Sequence, residues 1–123
     1  MKKLFLLSLL FVTIITLGQN IVHIQYRYVA SENVAEFEAL ETEHWSKIKK
    51  NAIKNGNMLV SAFFRVHGRT DDETKPTHAF VQVFKSFEQY EGQMKIWNNT
   101  EQILGFNPAF ASTNDISKTL YND

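Results

Sequence analysis

The sequence predicts one α+β domain, an antiparallel β-sheet with two α-helices on one face. Three observations carry that prediction. The chain has 123 residues, 44% hydrophobic and 21% charged, which suits a single small core. Apolar residues recur at every second position over 21–29, 58–67 and 78–84, the period of a strand. Over 34–52 and 87–104 they recur at steps of three and four, the period of a helix packed by one side.

The first eighteen residues read as an address rather than a structural element. Lys2 and Lys3 precede an apolar run over 4–17 that is too short to span a bilayer, for which about 20 residues are needed. Thr16 and Gly18 are small at the positions three and one before a cut, so cleavage is expected between Gly18 and Gln19. Residues 1–18 are therefore expected to be a signal peptide and 19–123 the mature domain, exported to the periplasm or secreted, with no stable membrane anchor. Thirteen basic residues balance thirteen acidic ones, and loss of Lys2 and Lys3 leaves the remainder mildly acidic. Nothing in that balance recommends nucleic acid as a partner. Cysteine is absent, which removes disulfides, thiolate nucleophiles and sulfur ligands together.

In the first strand, Val22, Ile24, Tyr26 and Tyr28 share one face, and Ile21, His23, Gln25, Arg27 and Val29 share the other. The first helix takes Ser31 or Asn33 as its cap, the latter with Glu36 completing a capping box. Its stripe runs Val34, Phe37, Leu40, Glu41, His44, Trp45, Ile48 and Ala52, and its acids precede Lys47, Lys49, Lys50 and Lys54 as the helix dipole prefers. Asn55-Gly56-Asn57 ends it. The second strand sets Met58, Val60, Ala62, Phe64 and Val66 against Leu59, Ser61, Phe63, Arg65 and His67. A charged connection over 68–77 leads to the third strand, where Ala79, Val81 and Val83 oppose His78, Phe80, Gln82 and Phe84. The second helix follows, with Gly92 inside it and Gly105 at its end, and the glycosylation pattern Asn98-Asn99-Thr100 is expected within it. The tail from 106 to 123 has no clean alternation, so a fourth strand and a continuation beyond Asp123 both stay open.

Strand, helix, strand, strand, helix and a weak final strand is the ferredoxin-like order. The more uniformly apolar faces, Val22 to Tyr28 and Met58 to Val66, are expected to meet the helices. The opposite face, bearing Phe63, Phe80 and Phe84, would then need another cover, and a second copy laid face to face would supply it.

Two groups of residues are candidate sites. Pairing of the strands gathers Arg27, Arg65, His67 and His78 into one polar corner. Solvated histidines, an anion site built on the two guanidinium groups, and a metal site completed by Asp71, Asp72 or Glu73 are the three readings of that corner; no metal is assigned, because two histidines fall short of the usual ligand count. On the first helix, Glu41 and His44 stand one turn apart, either as an acid–base pair tuned by burial or as an edge histidine bound to backbone or water. Core packing accounts for most of the aromatic residues, with a small ligand between helices and sheet as the alternative.

The stretch Tyr26 to Trp45, with Glu41-Thr42-Glu43-His44-Trp45, and the stretch Val81 to Tyr90 resemble the dimeric alpha-beta barrel group, which includes antibiotic-biosynthesis-type monooxygenases and stress-responsive barrel proteins. The chain is most similar to small exported members of Bacteroidetes type. The resemblance covers most of residues 19–123 as topology and texture, without a diagnostic catalytic motif. It implies a homodimer with paired sheets and a role as a small-ligand binding or accessory interaction module. A cofactor-free monooxygenase or a haem-associated enzyme is the alternative, with the cofactor unknown.

Overall fold

A computed structural model describes residues 19–66 and 71–123. The expected signal peptide and His67 therefore lie outside the described residues. Strands β1 (Ile21–Tyr28), β2 (Val60–Arg65), β3 (His78–Phe84) and β4 (Lys118–Asn122) form one antiparallel sheet in the order β2-β3-β1-β4. The sheet is open, with β2 and β4 as its edges. The barrel expectation, and with it the likeness to the dimeric alpha-beta barrel group, is corrected on this point: the chain forms an α+β domain with a four-stranded sheet and helices on one face. The four strands pair in the order β2-β3-β1-β4 with no pairing between β2 and β4, so the sheet of this chain does not close on itself.

The first helical stretch is continuous but irregular. A 3-10 turn (Ser31–Asn33) leads into α1 (Val34–Leu40), a π turn (Glu41–Trp45) and α2 (Ser46–Lys54). Neither expected cap operates, since the Ser31 hydroxyl bonds Asp71 and the Asn33 side chain caps nothing. Gly56, at φ +75°, closes α2 in the left-handed conformation that its sequence context predicts.

The second helix is corrected more heavily. In place of one helix over 87–104 there are α3 (Phe87–Glu91), a 3-10 turn (Gln93–Trp97) and α4 (Thr100–Leu104). Gly92 separates the first two and Asn98-Asn99 the last two, residues of weak helix propensity whose costs add over so short a span. The glycosylation pattern consequently sits at a turn. The tail supplies a 3-10 turn (Pro108–Ala111) before β4. Among the described residues, no helix is long and apolar enough to cross a membrane.

Which face of the sheet is covered is also the reverse of the expectation. Ile21, His23, Gln25 and Arg27 pair with Phe84, Gln82, Phe80 and His78, and Phe63 pairs with Phe80, so these side chains share one face. That face lies under the helices: His78, Phe80 and Phe84 are buried, whereas Val22 and Phe64 on the other side are each 53% exposed. The surface expected to receive a second copy is therefore the one the helices occupy. Two physical reasons favour this choice. Phenylalanine removes more apolar area from water than valine, and burial free energy scales with that area. The polar residues on the same face also find partners on the helices, since Glu38 meets His78 and Glu41 meets Arg27, so burying them leaves few polar groups unpaired.

The interior has two apolar clusters. Val29, Val34, Phe37 and Phe80, with Phe63 and Ile116, pack beneath α1. Ile48, Ala52, Met58, Phe84, Ile96 and Leu104 pack between α2, α4 and the sheet. The π turn crosses the boundary between them.

Candidate functional site

A cavity of about 550 Å³ lies between the helices and the sheet, within the range of about 300–1,000 Å³ that small-molecule sites occupy. Its sheet side presents His23, Gln25, Arg27, Phe80 and Gln82. Glu41, Trp45 and Lys49 come from the π turn and α2. Trp97, Ser112 and Thr113 come from the later segments.

The backbone irregularities aim the charged groups. In a regular helix, Lys49 would stand about 80° around the axis from Glu41, eight residues earlier. The Ser46 N–H instead reaches the Glu41 carbonyl five residues back, widening one turn. The Thr42 hydroxyl donates to the Glu38 carbonyl at 2.7 Å and that of Ser46 to the Thr42 carbonyl at 2.6 Å, side-chain bonds that lie along the same stretch. The additional residue in that turn brings Lys49 into line with Glu41, so that its Nζ lies 3.9 Å from Glu41 Oε2. In β1, the register against β4 shifts between Tyr26 and Arg27, an irregularity of the kind that re-aims a strand side chain.

Arg27, Glu41 and Lys49 are 17%, 7% and 13% exposed, three charges in the interior. Arg27 Nη1 is 3.9 Å from Glu41 Oε1 and donates to the Thr113 hydroxyl at 3.1 Å. Its Nε donates to Gln25 Oε1 at 2.8 Å, and the Thr113 hydroxyl donates to Glu41 at 3.3 Å. Arg27 Nη2 and Lys49 Nζ make no hydrogen bond among the described residues. Both cations lie over the Phe80 ring, Lys49 Nζ at 4.1 Å and Arg27 Cζ at 5.1 Å from its centroid, where its π electrons offset part of their desolvation. Burial is the leading influence on all three groups. It pushes the Glu41 carboxyl above its ordinary value against the pull of Lys49, Arg27 and Thr113, and it lowers the Arg27 guanidinium against the pull of Glu41. It brings the Lys49 ammonium down to about 8, with Glu41 opposing and Arg27 assisting. Two cations thus share one carboxylate, and a further anion would be electrostatically favourable there.

No family model, curated protein or solved structure matches this chain. Trp45 and Trp97 meet edge to face at 6.1 Å, and Trp45 Nε1 donates to the Ala111 carbonyl at 2.7 Å, tying the π turn to the last 3-10 turn. The walls thus combine indole surface with polar floor groups.

The strand register sets Arg27, His78 and Arg65 side by side as expected, but their side chains take different partners. Arg27 and Glu41 meet in the cavity. Arg65 and His78 stand opposite each other across β2 and β3 and are joined by Glu38, which the sequence reading did not single out. Arg65 grips both carboxylate oxygens of Glu38, while His78 Nε2 lies 2.9 Å from Oε1 and its Nδ1 lies 2.9 Å from the Thr77 hydroxyl. His78 is 1% exposed, with its ring stacked on Phe63 at 5.5 Å. His44 is apart from both groups. Its ring meets Phe106 edge to face at 5.1 Å, its Nδ1 is buried without a partner among the described residues, and Glu41 bonds elsewhere.

The Glu38 cluster makes a prediction for acid stability. Hydrogen bonding from Arg65 first, and from His78 next, holds the Glu38 carboxyl at about 2 rather than 4.5. A carboxyl lowered on folding stabilises the fold above its unfolded value and loses that contribution as pH falls through its folded value. Glu38→Gln is therefore expected to lower stability by about 1 kcal/mol at pH 6, a modest figure because Arg65 stands largely in water. Urea unfolding should show the gap closing between pH 4.5 and about 2, and a gap independent of pH would contradict this account.

Lys49 was legible only as one of several helix lysines, because helical periodicity at 3.6 residues per turn points it toward solvent. The hydroxyl pair Thr42 and Ser46, one turn apart in mid-helix, is the sequence feature that accompanies the distortion.

Proposed function

We propose that this chain binds a small organic anion with a flat apolar body, its charge placed against Arg27 and Lys49 and its body against Trp45 and Trp97. The observation that carries this reading is a cavity in which two partly buried cations face a single carboxylate. Apolar walls with a few convergent polar groups are the usual makeup of a ligand site, and a guanidinium with an unused nitrogen is suited to a carboxylate. Binding of this kind requires no catalytic step.

Phenyllactate and its uncharged amide, titrated against the full chain with tryptophan fluorescence as the readout, test the proposal. The acid is expected to bind and the amide to bind at least tenfold more weakly. Arg27→Gln removes a hydrogen bond to a charged group, worth about 1.5–3 kcal/mol, and should weaken the acid by about 10- to 100-fold. Equal affinity for acid and amide, or an Arg27→Gln protein that binds the acid unchanged, would overturn the reading.

A further inference from the structure

Lys49 does more in this cavity than balance charge. Its amine reaches the cavity from α2, lies over the Phe80 ring at 4.1 Å, and has no hydrogen-bond acceptor among the described residues. The one carboxylate beside it, Glu41, stands 3.9 Å away, beyond direct hydrogen-bond distance but within reach of a bound oxygen placed between them. Arg27 lies on the other oxygen of that carboxylate, also at 3.9 Å. A ligand whose carboxylate rests on Arg27 and whose carbonyl is one bond away would thus bring an electrophilic carbon to Lys49 Nζ. A lysine amine beside an aromatic ring, with an acid at hand and a cation for the neighbouring carboxylate, is suited to imine formation.

We propose that Lys49 forms an imine with the carbonyl carbon of a 2-oxo acid held in this cavity, an inference that rests on the anion-binding reading above. The neutral amine adds through its lone pair to the carbonyl carbon, and the oxygen takes a proton to give a carbinolamine. Glu41 relays the proton released by nitrogen to the hydroxyl, which departs as water while the nitrogen lone pair closes the C=N bond. Amine and carbonyl become imine and water, and nothing is oxidised or reduced. With its ammonium at about 8, roughly one Lys49 amine in ten is neutral at pH 7, against roughly one in a few thousand for an ordinary lysine. The titratable and charged groups that share the cavity with it are Glu41 of the π turn and Arg27 and His23 of β1.

Reductive trapping of the full chain with phenylpyruvate and cyanoborohydride, followed by intact mass and peptide mapping, tests this. The expected adduct is the acid less one oxygen atom, at Lys49 at least tenfold in excess of any other lysine and increasing as pH is raised from 6 to 8. Lys49→Arg should abolish the adduct, and the exposed-lysine variant Lys50→Met should leave both the adduct and phenyllactate binding unchanged. Mapping on the unaltered chain needs no variant to fold. Phenyllactate binding without selective trapping at Lys49 would overturn the imine and leave the anion site standing. Failure of phenyllactate to bind would overturn the anion site, and the imine with it.

Discussion

Replacing Glu41 by glutamine is expected to change how stability depends on pH more than its size at pH 6, because burial already holds the Glu41 carboxyl above its ordinary value despite the pull of Lys49 and Arg27, so its charge gives the fold no net gain there. The isostere keeps the shape and an acceptor for Thr113, so loss of charge rather than of packing is what is measured. The change should follow pH in a set direction. Glu41 raises the Lys49 ammonium, and its removal lets burial bring that group below about 8. A base lowered on folding binds fewer protons in the native state, so stability rises with pH from its folded value toward its unfolded value. The variant should therefore begin to recover stability at a lower pH than the natural chain, whose rise starts near 8. Urea midpoints from pH 6 to 9 check both statements. A variant whose rise begins at the same pH as that of the parent would mean that the three charges are not coupled as their distances imply.

Phe37→Ala is expected to be the more damaging of two aromatic truncations, by about 3–5 kcal/mol, against about 0.5 kcal/mol for Phe64→Ser on the open face. Phe37 is 0% exposed and packs against Phe63, Phe80 and His78, at ring separations of 5.9, 6.3 and 5.0 Å. Phe64 is 53% exposed, so its removal leaves little cavity. Thermal or urea unfolding of the two variants separates the orientations of the sheet. If Phe64→Ser were the costlier change, the helices would have to lie on the side that carries Val22 and Val60.

Some of the candidate site was visible in residue types. Arg27 and Glu41 were each singled out, because an arginine inside an alternating strand and a glutamate on an apolar stripe both break a pattern. Their meeting was not visible, since 14 residues and a change of secondary structure separate them. Glu38 was hidden for a different reason. It lies beside Phe37 on the helix, and its role depends on Arg65 and His78, which only the β2-β3 pairing brings to it. Lys49 reads in the sequence only as one of four lysines that suit the helix dipole, because the π turn, which brings it into line with Glu41, has no period of its own to read.

By itself the sequence determined where three strands lie and where the helical stretches stop, because alternation, glycine and short-range hydrogen bonding act within a few residues of one another. It also determined which side chains share a face. Tertiary structure alone decided which face the helices cover, that the sheet stays open, and that Arg27, Glu41 and Lys49 enclose one cavity. Those outcomes depend on the summed volume of Phe63, Phe80 and Phe84, on charges supplied by a different element, and on one additional residue in a single helical turn. All three are balances between distant parts of the chain, and local periodicity carries no information about them.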